Sequence, residues 1–219
     1  LAGACILMTE SSIVQLPFWQ FFMREGATSF GGVPYTYEIL KKMRFFTMKL
    51  PSLRAMTQAG GKLPTSLQKE FGEWAEAHGV KFFVMYGQTE ATARMSYLPP
   101  EMCLKKIGSM GIAIPGGKFR ILGADGADIE VPDVSGELVY EGENVSLGYA
   151  ERAADLKLGD ERGGVLQTGD IAKRDDDGYY YIVGRKKRFI KIYGIRVSLD
   201  ECEQLLKNNF PGADFACIG

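Results

Sequence analysis

Short apolar runs alternate with helix-spaced apolar positions along the first part of the chain. Residues 5–8, 27–30, 54–57 and 81–85 read as strands. Between them, residues 13–24 carry Leu16, Trp19, Phe22 and Met23 at core spacing, and residues 37–43 turn Leu40 and Met43 inward. Residues 67–78 gather Phe71, Trp74 and Ala75 on one helical face. Gly31-Gly32, Gly60-Gly61 and Gly87 follow three of the strands as stop signals. This regular strand–helix alternation predicts βαβ units and a parallel sheet.

The pattern changes near Gly108. Residues 119–122, 136–140, 165–168 and 179–183 are strand-like runs separated by turn signals such as Gly116-Gly117, Asp125-Gly126 and Asp177-Gly178. They predict a small antiparallel barrel or sandwich. Residues 189–193 and 195–197 read as a ribbon broken by Gly194. Ser198 with Glu201 three positions on marks the start of a helix running to about Asn208. Residues 213–218 read as a further strand. The expected division is 1–107, 108–184 and 185–219.

The composition is that of an ordinary globular protein: 219 residues, 46% hydrophobic and 24% charged. A net charge of −1 excludes a global field for nucleic acid or anionic lipid, so any anion site must be local. No apolar run reaches the ~18 residues of a membrane span, and the opening residues lack the basic flank of a signal peptide. Four scattered cysteines show no metal-type spacing, which fits a reducing cytoplasm. His78 before Gly79 reads as a structural cation at a helix C-terminus. The methionines read as packing residues, and Asp175-Asp176-Asp177-Gly178 as a hairpin turn.

Two short segments carry candidate chemistry. Tyr86-Gly87-Gln88-Thr89-Glu90 directly follows the fourth predicted strand, where open parallel sheets bind ligands. There a glycine permits close backbone approach, Thr89 offers a hydroxyl and Glu90 offers a hard oxygen for Mg²⁺. Gln167-Thr168-Gly169-Asp170 presents a carboxylate after a tight turn, a match for the paired hydroxyls of a ribose and equally for a plain turn. Arg185 after Gly184 offers a guanidinium for ribose or phosphate, although Arg185-Lys186-Lys187-Arg188 alone also reads as a solvated charge run.

Order adds specificity. Gly60-Gly61, then YGQTE, then GELVYEGENVSLGY, then TGD, then YIVGRKKRFIKIYG occur in sequence, with punctuating stretches such as KIGSMG between. This series resembles the AMP-forming acyl-activating superfamily of acyl-CoA synthetases, nonribosomal-peptide adenylation domains and luciferases, over nearly the whole chain. The resemblance implies part of a large N-terminal domain with a parallel sheet and flanking helices, then a small antiparallel β-barrel, then the start of an α+β C-terminal lid.

The resemblance also implies roles. Gly60, Gly61 and Lys62 would lie against adenine and the acyl carboxylate, with Tyr86 stacked on adenine and Gly87 and Gln88 beside it. Thr89 would contact the α-phosphate and Glu90 would ligate Mg²⁺. Asp170 would hold the ribose, with Ile182 and Arg185 on the same side, and Arg196 would approach phosphate. Lys187 would be the lid hinge. Lys191 would act near the centre in the second half-reaction, with a solvent-facing strand residue as the equal alternative, and Gly194 would line the thiol tunnel. Phe30, Gly31, Val33, Ala59, Met85, Ala91 and Ala93 would line the acyl pocket.

The implied activity uses ATP and Mg²⁺ to turn a carboxylic acid into acyl-AMP, then passes the acyl group to CoA or to a phosphopantetheinyl carrier protein. A non-catalytic nucleotide-binding module is the reading from a different class. The family's phosphate loop and final catalytic lysine do not occur in these residues. The 219 residues alone are therefore expected to adenylate inefficiently and to be prone to self-association.

Overall fold

The structure is a computed structural model describing residues 3–192, 195–210 and 213–218. The chain divides into two compact units, Leu1–Tyr86 with Tyr97–Gly108, and Gly87–Ser96 with Ser109–Gly219. Among the described residues no helix is long and apolar enough to cross a membrane.

In the first unit, helix α1 (Leu16–Arg24) leads to β1 (Ser29–Gly32), α2 (Pro34–Lys42), β2 (Ala55–Gln58), α3 (Thr65–Ala77), β3 (Lys81–Tyr86) and β4 (Ser96–Leu98). The sheet runs β1-β2-β3-β4, and β1, β2 and β3 are parallel with Phe30, Met56 and Phe82 in register. A parallel pair needs a crossover, which α2 and α3 supply. Prolines stand in the first turn of α1 and of α2, where their missing N–H costs nothing. The predicted helices and parallel strands are therefore present, shifted by a few residues.

Aromatic rings fill this unit. Tyr37, Phe45, Phe71 and Phe82 are buried, with Tyr37 edge-on to Phe71 at 5.0 Å and Phe45 against Trp74 at 4.8 Å. Such rings each bury roughly 150–250 Å², so they dominate the core energetics. The Tyr37 hydroxyl donates to the Thr57 carbonyl at 2.7 Å, which ties α2 to β2, and burial pushes its pKa far above the usual phenol range.

Three expectations fail here. Residues 5–8 form no strand, and Ile6 and Met8 are 80% and 85% exposed; an apolar run becomes a strand only beside a partner, and no described strand lies against it. Leu16 and Met23 of α1 are exposed, because Trp19 and Phe22 already occupy its inward face. Gly31 and Gly32 belong to β1 instead of ending it. A β-carbon at Gly31 would lie 2.7 Å from the Thr57 hydroxyl oxygen, so glycine is what lets β1 approach β2.

The second unit holds β5 (Ile112–Ala113), β6 (Lys118–Leu122), β7 (Gly136–Glu141), β8 (Val165–Arg174), β9 (Tyr180–Arg185), the ribbon β10 (Phe189–Ile192) with β11 (Ile195–Ser198), and helix α4 (Leu199–Asn209). Strands β6 to β9 form an antiparallel meander around Phe119, Ile121, Leu138, Tyr140, Leu166 and Ile171. The sheet curls so that Phe119 of β6 and Tyr180 of β9 meet at 5.1 Å, and the Tyr180 hydroxyl reaches the Phe119 carbonyl at 3.4 Å. It is barrel-like in curl, but no ladder joins β6 to β9.

The Asp175–Gly178 segment is the hairpin turn expected, its Asp175 carboxylate accepting from the Tyr179 N–H at 2.9 Å. Ser198 caps α4, its hydroxyl accepting from the Glu201 N–H at 3.3 Å. Residues 213–218 carry no strand, again for want of a described partner.

Candidate functional site

The carboxyl ends of the parallel strands lie in the first unit. Val33 follows β1, Ala59-Gly60-Gly61-Lys62 follows β2, and Met85-Tyr86 closes β3. Gly60 adopts φ +79°, a left-handed turn that favours glycine, and its α-carbon side faces Val33. Gln58 is fully buried; its Nε2 donates to the Gly61 carbonyl at 2.9 Å, while its Oε1 has no partner among the described residues. The glycine turn is thus held from beneath by the sheet, with Gly60, Gly61 and Lys62 exposed above it. Gly31, Val33, Ala59 and Met85 lie at or just past the ends of β1, β2 and β3, whereas the Phe30 ring packs in the aromatic core against Trp19, Phe22, Tyr37 and Phe45, and Ala91 and Ala93 belong to the second unit, Ala91 fully buried and Ala93 exposed.

The rest of the YGQTE segment begins the second unit. A β-carbon at Gly87 would lie 2.6 Å from the Ala93 carbonyl oxygen, so the turn closes only on glycine. Thr89 is exposed on a short 3₁₀ turn over Thr89–Ala91, and Thr92 and Ala93 follow with φ +50° and +62°. Left-handed backbone at two successive non-glycine residues costs on the order of 1–3 kcal/mol each. Asn144 holds it in place: its Nδ2 donates to the carbonyls of Ala91 at 2.8 Å and Arg94 at 2.9 Å, and its Oδ1 accepts from Tyr140.

Thr168-Gly169-Asp170 forms an irregularity in the β7–β8 ladder: Val139 faces Gln167 and Glu137 faces Ile171, so three residues of β8 lie opposite one of β7. Gly169 turns at φ +69°. The Thr168 hydroxyl donates to the Leu138 carbonyl at 2.8 Å and accepts from the Asp170 N–H at 3.1 Å. This bulge aims Asp170 at two partners. The Arg185 Nε lies 3.0 Å from its Oδ1, and Gln88 Nε2 donates to its Oδ2 at 3.0 Å and to the Thr168 carbonyl at 2.9 Å. The Asp170 side chain is 4% exposed and that of Arg185 65%. Ile182 lies on β9 opposite Ala172 of β8. Gln88 thereby joins the YGQTE and TGD segments, 82 positions apart in the chain.

Glu90 is half-buried. The Tyr149 hydroxyl donates to its Oε1, and the Ser146 N–H donates to its main-chain carbonyl at 2.8 Å. That hydroxyl, then its own backbone, holds the Glu90 carboxyl below the usual carboxylate range, and the same bond raises the Tyr149 phenol. An ionised carboxylate of this kind fits Mg²⁺. No group of three or more potential metal ligands gathers among the described residues. Glu90 accordingly suits an ion held mainly by nucleotide phosphates, for which one or two protein carboxylates suffice.

The basic run is mostly exposed, as a solvated charge run would be, and is also largely paired. Arg185 pairs with Asp170, Lys186 with Glu137 at 2.6 Å, and Arg188 with both Asp200 and Glu203. Lys187 is exposed and has no carboxylate partner among the described residues. Lys191 and Arg196 face each other across the β10–β11 ladder; their side chains and all of Gly194 lie outside the described residues.

Sequence reasoning assigned nothing to Asn144, Tyr149 or Arg162. The first two stand within GELVYEGENVSLGY, so the motif was visible and its role was not.

Fold and site define an α/β protein with a parallel sheet and a following antiparallel unit. Residues 1–150 match the model of the AMP-binding enzyme family, and the chain belongs to that family. It is 33% identical to an indoleacetate–CoA ligase of Aromatoleum aromaticum, over 85% of this chain and 36% of that protein. It is 34% identical to a long-chain-fatty-acid–CoA ligase of Yersinia pestis, over 100% of this chain and 38% of that one. An o-succinylbenzoate CoA synthetase structure from Bacillus subtilis, in complex with ATP and magnesium ion, superposes with TM-score 0.73 and 26% identity, over 90% of this chain and 40% of that chain. The chain spans from 24% to 41% of the length of these and similar curated relatives.

Proposed function

We propose that the protein containing this chain is an AMP-forming acid–CoA ligase. The observation that carries the proposal is the bond from Gln88 to Asp170, which brings the YGQTE and TGD segments together beside Arg185. The CoA ligases among its relatives support CoA as the acceptor in preference to a carrier protein.

In the first half-reaction a carboxylate oxygen of the acid attacks the α-phosphorus of ATP and the bond to pyrophosphate breaks, giving acyl-AMP. In the second a thiol sulfur attacks the acyl carbon and AMP leaves. Neither step needs a covalent protein intermediate, so positioning and charge stabilisation supply the acceleration. Asp170, oriented by Arg185 and Gln88, accepts from the ribose hydroxyls, and Tyr86 offers a ring to adenine beside Gly60-Gly61-Lys62. The Thr89 hydroxyl donates to the α-phosphate. Glu90 would hold Mg²⁺, which when bound offsets the phosphate charge. Lys187, exposed and with no carboxylate partner among the described residues while its neighbours are pinned, is the residue at which a lid comprising 185–219 turns.

A carboxylic acid, ATP and CoA are then the partners, with no role for nucleic acid or a membrane in a chain of net charge −1. Four free cysteines support a cytoplasmic setting. The test is product analysis of the full-length protein with ATP, Mg²⁺, CoA and a panel of aromatic, fatty and dicarboxylic acids. AMP and one class of acyl-CoA are expected; release of ADP, or no thioester with any acid, would exclude the assignment.

A further inference from the structure

Tyr149 is a large aromatic residue, 66% exposed, in a loop with no regular structure. Core packing does not explain it. Its two described contacts are specific: the hydroxyl donates to Glu90 Oε1, and the ring lies under the Arg162 guanidinium, 4.6 Å from the ring centre. A cation over an aromatic face is an attractive and oriented contact.

Arg162 is fixed in turn. Its Nη1 donates to the Ser146 hydroxyl at 2.5 Å, and its N–H donates to the Asp160 carboxylate at 2.9 Å. The Glu161 N–H donates to the Leu147 carbonyl at 2.8 Å, which ties the two ends of this loop together. At Gly148 a β-carbon would lie 2.5 Å from the Glu161 carboxylate, so the Glu161 side chain lies against the backbone just before Tyr149. The same loop meets Glu90 again through the Ser146 N–H, which donates to its main-chain carbonyl. Backbone and side chain of Glu90 are therefore gripped by one loop at once, and the carboxylate also accepts from its own backbone N–H.

We propose that Tyr149 and Arg162 are positioning residues that hold the Glu90 carboxylate, through the Tyr149 bond to Oε1, in one orientation for a divalent cation. The inference rests on the reading of Glu90 as the Mg²⁺ ligand and adds to it the device that orients the ligand. An unrestrained glutamate must surrender its side-chain freedom when it binds an ion, and the Tyr149 bond removes that freedom beforehand. Hydrogen-bond partners of metal ligands typically matter by roughly 10–100-fold in metal affinity.

The test uses the full-length protein with Mn²⁺ as a paramagnetic probe and an ATP analogue that cannot be cleaved between the α- and β-phosphates. Mn²⁺ affinity is read by electron paramagnetic resonance. AMP affinity without metal is measured in parallel, as a readout that loss of orientation at Glu90 does not move. Tyr149→Phe, which removes one exposed hydroxyl, is expected to weaken Mn²⁺ binding about tenfold and leave AMP binding unchanged. Arg162→Met is expected to shift Mn²⁺ in the same direction by less. Glu90→Gln, which tests the underlying reading, is expected to lose the Mn²⁺ site. Wild-type Mn²⁺ affinity in Tyr149→Phe with loss in Glu90→Gln overturns the inference and leaves the Glu90 reading standing. Wild-type affinity in Glu90→Gln removes both. A parallel fall in AMP affinity in Tyr149→Phe shows the hydroxyl serving the fold at large, and also overturns the inference.

Discussion

At Gly87 an added β-carbon would meet the Ala93 carbonyl carbon at 2.8 Å and the Arg94 nitrogen at 2.9 Å, as well as the Ala93 oxygen. All are backbone atoms, so a side chain there displaces the turn that carries Thr89 and Glu90. Gly87→Ala is expected to cost about 1–3 kcal/mol of stability and to abolish saturable nucleotide binding, measured by denaturant unfolding and AMP titration. Wild-type AMP binding would contradict the geometry. Cys103 makes a second case. It is buried against Gly72, and desolvation pushes its thiol up to about 11. A raised folded-state pKa gives stability that is complete below the unfolded value near 9 and is lost as pH rises toward 11. Cys103→Ala should therefore flatten the alkaline decline in unfolding free energy, which for one such group approaches 1.4 kcal/mol per pH unit. An unchanged decline would assign it to other groups.

Among the elements, α4 opens on a serine side-chain cap. Ser198 accepts from the Glu201 N–H, and Arg188 holds Asp200 and Glu203 in the first two turns. Ser198→Ala is expected to cost about 1 kcal/mol, seen as faster amide exchange confined to the first turn of α4; exchange spread over the β6–β9 sheet would contradict a local cap. This helix was legible in the sequence because a Ser followed by Glu three residues on has one common structural use. The parallel strands were legible for a similar reason, since each apolar run is followed by a helical pattern long enough to cross back. Two apolar runs at residues 5–8 and 213–218 misled, because hydrophobicity states a preference for burial and says nothing about whether a partner strand is beside it. Strand β4 went unseen, being only three residues long.

At the scale of the molecule, the candidate site was legible as motifs in order and illegible as contacts. YGQTE and TGD stand far apart in sequence, and nothing in either declares that Gln88, between Gly87 and Thr89, is the residue that reaches Asp170. Nor does the spacing show that β8 bulges so that Asp170 faces Arg185 across the ladder. Tyr149 and Arg162 were missed for the same reason, since their use depends on a loop that folds back on Glu90 from 59 positions away. We propose that Asp170, fixed by Gln88 and Arg185, holds the nucleotide on which a carboxylate is activated. Carboxylate-dependent exchange of labelled pyrophosphate into ATP, measured on the full-length protein and on Asp170→Ala, tests it most directly. Exchange that requires one class of acid and disappears in the variant is the predicted result. Exchange that persists undiminished in Asp170→Ala, or none with any acid in the folded wild-type protein, would contradict it.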